Sequence, residues 1–153
     1  MPPCRSCRLE ADVDALPVWE RAYLDGDWRL AHASASLAGY MVLSPRRHVV
    51  SLDELTAREA AALGPLLAAT TGALRAVVGC SKTYVMLFAE KRGWAHVHFH
   101  VVPRMPDFGE DQIGPGALDF VNRPEAEWVP PEERARVAAD VGARVRAHVR
   151  EIS

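Results

Sequence analysis

Lysine is nearly absent from this chain: Lys82 and Lys91 stand alone among 18 basic residues, and the rest are arginine. We read that skew as genomic codon bias rather than function. An excess of either charge sign is also missing, since 20 acidic residues leave a formal net charge of -2. A chain so balanced does not neutralise a phosphate backbone by bulk electrostatics, which argues against a nucleic-acid polymer as partner. Long apolar runs are lacking too. The longest uncharged stretch, residues 60–74, is interrupted by Gly64, Pro65, Thr70, Thr71 and Gly72. It falls short of the roughly 20 apolar residues a bilayer crossing needs, so no membrane is expected as partner. Between Met1 and Asp14 the chain carries Arg5, Arg8, Glu10, Asp12 and Asp14 where a secretory signal would have its apolar segment, so a cytoplasmic location is expected. Cysteine is too scarce for a disulfide framework. Of Cys4, Cys7 and Cys80, the close Cys4-x-x-Cys7 pair points to metal or redox chemistry.

What is present suits one globular domain over residues 1–153, with 49% apolar and 25% charged residues. Asp25-Gly26-Asp27 separates two strand-like runs, residues 18–24 and 28–33, and predicts a hairpin. A third strand is expected over residues 40–43, ending at Ser44-Pro45. Ser51 and Glu54 form an S-x-x-E capping box, so a helix should open near Leu52 and run to Val78. Gly64-Pro65 should kink or interrupt it, and Gly79 suits its end. Residues 83–89 and 95–102 are rich in strand formers, joined through residues 90–94, with Pro103 and Pro106 closing the last strand. Residues 106–130 read as an irregular surface segment. A final helix over 131–152 shows an apolar stripe of Val137, Val141, Val145, Val149 and Ile152. Strands linked by hairpin-sized connections, with helices segregated, predict an α+β fold built on an antiparallel sheet.

The segment richest in chemistry is His96-Val97-His98-Phe99-His100-Val101-Val102. In an extended strand the three histidines share one face, and Val97, Phe99 and Val101 take the other. Three readings follow. The imidazoles form an exposed polar strand face; they hold a metal, although three from one strand reach a single ion poorly; or one attacks phosphorus while its neighbour holds the phosphate or protonates the leaving oxygen.

The pattern His-φ-His-φ-His-φ-φ, with φ apolar, resembles that of the histidine triad (HIT) family. Pro103-Arg104 and the upstream Tyr40-Met41-Val42-Leu43-Ser44-Pro45-Arg46-Arg47-His48 are similar to it as well. The likeness extends over roughly residues 4–105. It implies a HIT-like antiparallel sheet with one main helix packed on it, an additional C-terminal helix, and a homodimer. It also implies binding of a nucleotide or dinucleotide, of the dinucleoside polyphosphate or nucleoside phosphoramidate class, and hydrolysis or nucleotidyl transfer at the α-phosphate. On this chain His98 would be the nucleophile, forming a nucleotidyl-histidine, and His100 would contact the phosphate and the leaving oxygen. Backbone amides near residues 90–94 would hold other phosphate oxygens. Zinc-bearing members imply a Cys₂His₂ set of Cys4, Cys7, His48 and His96, one structural Zn²⁺ per chain with no organic cofactor and no catalytic divalent metal. Such zinc would pin the N-terminus and orient His96.

Three positions differ from the family pattern. Lys91-Arg92-Gly93-Trp94-Ala95 stands where many members have Gly-Gln-Ser, so Lys91, Arg92 and Gly93 become the candidate phosphate contacts. Gly39-Tyr40 replaces a Gly-His pair. Gapless counting back from Tyr40 puts His32 where a ribose-binding acid is common, a candidate substrate contact as a fourth imidazole. These differences keep two alternatives open: a catalytically weak nucleotide-binding module, and a zinc-stabilised scaffold without nucleotide chemistry. Trp19, Trp28, Trp94 and Trp128 are read as base-stacking or packing residues, Cys80 as a buried thiol, and His148 as a helix-end cation.

Overall fold

The computed structural model describes residues 4–153. Five strands form one antiparallel sheet in the order β1-β2-β3-β5-β4: β1 Tyr23–Leu24, β2 Trp28–His32, β3 Met41–Pro45, β4 Lys82–Leu87 and β5 Phe99–Arg104. Three α-helices accompany it, α1 Arg5–Glu10, α2 Ala57–Val78 and α3 Pro131–Ile152. The expected α+β class is observed.

The registers Leu30↔Leu43, Leu43↔Phe99 and Met41↔Val101 align one apolar face. It joins a single buried cluster with Leu66, Ala69, Ala73 and Leu74 of α2 and Val137, Val141 and Val145 of α3. The opposite face carries Val42 and His100, which oppose each other. There a smaller cluster of Ala35, Tyr40, Val102 and Ala117 forms, with Phe120 and Val121 packed on it. Residues 106–130 are therefore more than a surface segment. They run through short 3₁₀ turns and bury Ala117 completely over this second face.

Several boundaries differ from expectation. Residues Val18–Arg21 form a 3₁₀ turn after Pro17, so the first strand shrinks to Tyr23–Leu24. The Ser51–Glu54 box opens only a 3₁₀ turn, because the Ser51 hydroxyl is bonded to the Asp53 carboxylate instead of a backbone amide. A second box five residues on starts α2: Thr56 Oγ1 accepts from Glu59 N at 3.2 Å, and Glu59 Oε2 accepts from Thr56 N at 2.7 Å. Arg47 clamps the same carboxylate, which holds Glu59 down at about 2. α2 runs unbroken through Pro65, which sits with Gly64 on the exposed side, so the carbonyl deprived of its partner faces water. The helix has 22 residues with mean hydropathy of 1.5 in its most apolar window, enough for a membrane span by length and composition. That exceeds what the sequence reading allowed, yet α2 here lies against the sheet and α3. Gly79 closes it in the left-handed region, φ 70°.

The last strand begins at Phe99, not residue 95, since both neighbouring ladders end at that residue. Pro103 lies within β5 opposite Thr83, beyond the final β3 partner at Val101, where its missing N–H costs no bond to β3.

Candidate functional site

Helix α1, which the sequence reading missed, carries the first two metal-ligand candidates. Cys4 is its N-cap and Cys7 lies one turn on. His48 follows β3, and His96 precedes β5 and is fully buried. The four ligand atoms all lie within 4.8 Å of one another. Cys4 Sγ is 3.5 Å and Cys7 Sγ 3.7 Å from His96 Nδ1, and Cys7 Sγ is 3.2 Å from His48 Nδ1. Tetrahedral zinc with Zn–S of about 2.3 Å and Zn–N of about 2.1 Å requires S···N separations of about 3.5 Å. The donor set fits. His96 Nε2 donates to Pro45 O at 2.8 Å, which leaves Nδ1 unprotonated and aimed at the thiols. Without a cation, burial and the neighbouring Cys4 push the Cys7 thiol up to about 11. A bound cation would remove that penalty by stabilising the thiolate.

Charge pairs fasten α1 to the sheet. Glu10 Oε1 accepts from Arg29 Nε at 2.6 Å, and its Oε2 from Arg46 Nε at 2.9 Å. Arg29 and Glu10 are nearly buried, and Arg5 N donates to Gly93 O at 2.9 Å. The segment leading into the triad is thus held from the N-terminus.

His96 turns inward to the cysteines, and residues 96–98 lie outside the hydrogen-bonded ladder. The alternation still holds downstream: Val97, Phe99 and Val101 enter the main core, and the His98 and His100 rings meet at a centroid distance of 4.9 Å. His98 Nδ1 lies 2.7 Å from His96 O. A carbonyl only accepts, so Nδ1 carries the proton and Nε2 keeps a free lone pair. His100 Nδ1 lies 2.9 Å from the Tyr40 hydroxyl. Burial, with a smaller electrostatic contribution from the neighbouring His98 ring, pushes His100 down to about 4. The ring is neutral at ordinary pH.

Aromatic side chains border this pair. Phe88, 55% exposed, has its ring 6.4 Å from that of His100. Trp94 lies 6.3 Å from the His98 ring, and the Arg5 guanidinium covers it at 5.2 Å. Trp28 and Trp19 instead pack into the core, and Cys80 is buried. Lys91 and Arg92 are exposed, and no hydrogen bond or ion pair among the described residues engages their side chains. Gly93 adopts φ 81° in the turn beside them.

His32 does not join this group. Its register partner is Met41, whose own partner on β5 is Val101, so His32 lies on the α2 face, opposite to His100. It is fully buried, with Nδ1 donating to Ala33 O at 2.8 Å and Nε2 accepting from Gly39 N at 2.9 Å. Both nitrogens are used within the β2–β3 hairpin. A one-residue offset reverses the face in a strand, and gapless counting across a hairpin does not control for that. The residue that sequence reasoning undervalued is Tyr40. It stood out only as a departure from a Gly-His pair, yet it is the direct partner of His100.

No family model matches the chain, and no curated protein matches it. Solved structures do. A zinc-bound histidine triad family protein from Mycobacterium smegmatis is similar at TM-score 0.66 and 20% identity, over 94% of this chain and 96% of that one. A hypothetical histidine triad nucleotide-binding protein from Sulfolobus tokodaii gives TM-score 0.68 at 14% identity, over 97% of this chain and 96% of that one. A Hit-like protein involved in cell-cycle regulation from Bartonella henselae gives 0.64 at 19%, over 86% and 90% respectively. The chain therefore has the fold of the histidine triad proteins. Its Cys4, Cys7, His48 and His96 cluster could hold a metal ion, and the Mycobacterium smegmatis protein is zinc-bound.

Proposed function

We propose that this protein binds nucleotides and hydrolyses or transfers a nucleotidyl group at the α-phosphate, through a covalent nucleotidyl-histidine on His98. The observation that carries this reading is the bond from His98 Nδ1 to His96 O, which leaves Nε2 as the free nitrogen beside His100. Nε2 attacks phosphorus, the bridging oxygen leaves with its bond pair, and water later displaces the histidine. His100 contacts the phosphate. The exposed Lys91 and Arg92, with the amides around Gly93, supply positive charge and donors for the equatorial oxygens where negative charge gathers. One structural zinc per chain, on Cys4, Cys7, His48 and His96, holds the entry to this segment and takes no part in bond breaking. The same reading makes the protein a cytoplasmic homodimer without an organic cofactor.

The test is a nucleotide panel with mass spectrometry of acid-quenched protein. A nucleotidyl adduct on His98 is expected, lost in H98A with the fold unchanged by circular dichroism. Turnover by H98A would exclude the covalent route. Nucleotide binding without an adduct or turnover would make the protein a binding module.

A further inference from the structure

Tyr40 is wholly buried, and its hydroxyl makes one hydrogen bond among the described residues, to His100 Nδ1. A phenol has a single proton to donate. If His100 Nδ1 carried a proton instead, the Tyr40 hydrogen would be left buried without an acceptor, a costly arrangement. The proton therefore sits on Tyr40, Nδ1 accepts it, and the one remaining hydrogen of the neutral ring is on Nε2. His98 and His100 are thus held as opposite tautomers. One presents a lone pair, the other an N–H.

We propose that Tyr40 is a positioning residue that keeps His100 as an Nε2–H hydrogen-bond donor, and that the site consequently acts on phosphoric anhydrides in preference to phosphoramidates. This rests on the nucleotidyl-transfer reading above. In an anhydride, His98 Nε2 forms the N–P bond as the P–O bond breaks, and the leaving phosphate departs as an anion that needs no proton. His100 then has only to donate a hydrogen bond to a phosphoryl oxygen. An amine leaving group must receive a proton as its P–N bond breaks. For His100 to give up Nε2–H, Nδ1 would have to take the Tyr40 proton and leave a buried phenolate, and burial pushes the Tyr40 hydroxyl well up. That relay is disfavoured, so amines lose the assistance they need. A histidine at position 40 could itself carry the extra proton and pass it on.

The experiment compares wild type, Y40F and Y40H by ¹⁵N NMR of the His100 ring. It also compares them in turnover of two substrates sharing one nucleoside, a phosphoric anhydride and a phosphoramidate. Wild type should show the Nε2–H tautomer and favour the anhydride by about 100-fold in kcat/KM, the scale of lost general-acid assistance. Y40F should mix the tautomers and lower anhydride kcat about tenfold with KM nearly unchanged, a partial share of the roughly 100-fold that outright loss of one such donor costs. Y40H should raise phosphoramidate turnover relative to Y40F. An Nδ1–H tautomer in wild type, or equal turnover of the two substrates, overturns the proposal. Turnover of neither substrate overturns the substrate preference together with the enzymatic reading. In that case the NMR tautomer alone still decides the role of Tyr40.

Discussion

Cys7 Sγ and His48 Nδ1 lie 3.2 Å apart although 41 residues separate them in the chain. Two polar atoms at that spacing, with Cys4 and His96 closing the set, draw the N-terminal helix and the chain after β3 to one point. A bound zinc would supply the attraction that the thiols, which repel once ionised, lack. Purified protein should carry one zinc per chain by elemental analysis. C7S should lose it and lower unfolding stability on the order of 3 kcal/mol in chemical denaturation. Full zinc content in C7S would exclude this ligand set. Acidification should release the metal as the thiolates and imidazoles take up protons.

Glu10 spans Arg29 and Arg46 where α1 crosses the sheet. Replacing the carboxylate leaves the nearly buried Arg29 charge short of a partner, although Glu20 Oε2 at 3.2 Å still offsets part of it. E10Q should therefore destabilise by about 3 kcal/mol in urea denaturation. The exposed pair of Glu133 and Arg136 on α3, 3.8 Å apart, provides the control. E133Q should change stability by less than about 0.5 kcal/mol. Equal effects from the two substitutions would show that burial does not set the strength of the Glu10 contacts.

Period-two alternation correctly separated Val97, Phe99 and Val101 from His98 and His100, because packing enforces that pattern even where the ladder has stopped. The likeness to zinc-bearing relatives brought together Cys4, Cys7, His48 and His96, which only long-range folding assembles. The helix start was misplaced because Ser51–Glu54 and Thr56–Glu59 match the same local pattern, and the choice depends on where Arg47 meets Glu59 in space. His32 was misassigned because the face it takes is set by strand register. Tyr40 was visible only as a departure, since its partner lies 60 residues away.

The buried ring of His32 gives the fold a pH dependence of definite sign. Burial, with the charge of Arg134 adding to it, pushes this imidazole down to about 4. An unfolded histidine titrates near 6.5. Between these values the unfolded chain binds the proton and the folded one does not, so stability falls as pH drops from about 6.5 to 4. The loss from His32 should be on the order of 2–3 kcal/mol across that window. His100, also pushed down, contributes in the same direction. H32Q, less stable at neutral pH but without a titrating ring, should flatten the slope by about the His32 share. An unchanged slope in urea titrations at successive pH values would mean that His32 takes up its proton equally in the folded and the unfolded chain.

Two glycines in long helices should respond oppositely to alanine. A Cβ on Gly142 of α3 would lie 1.8 Å from the carbonyl oxygen of Ala22, which also accepts from Arg146 Nη1 at 2.8 Å. Backbone sits on both sides of that contact, so neither can yield alone. G142A must lift α3 from the chain preceding β1, loosening Val141 and Val145 in the main core and stretching the Arg146 bond. A loss of about 3 kcal/mol or more is expected, from overpacking together with forfeited burial. Gly72 lies on the exposed side of α2 with nothing within 4 Å of the added carbon. G72A should therefore stabilise by about 0.5–1 kcal/mol, the helix-propensity difference alone. Thermal denaturation of both variants separates the effects. A neutral G142A would mean that α3 stands off from Ala22 in solution, and its seating against β1 would have to be redrawn.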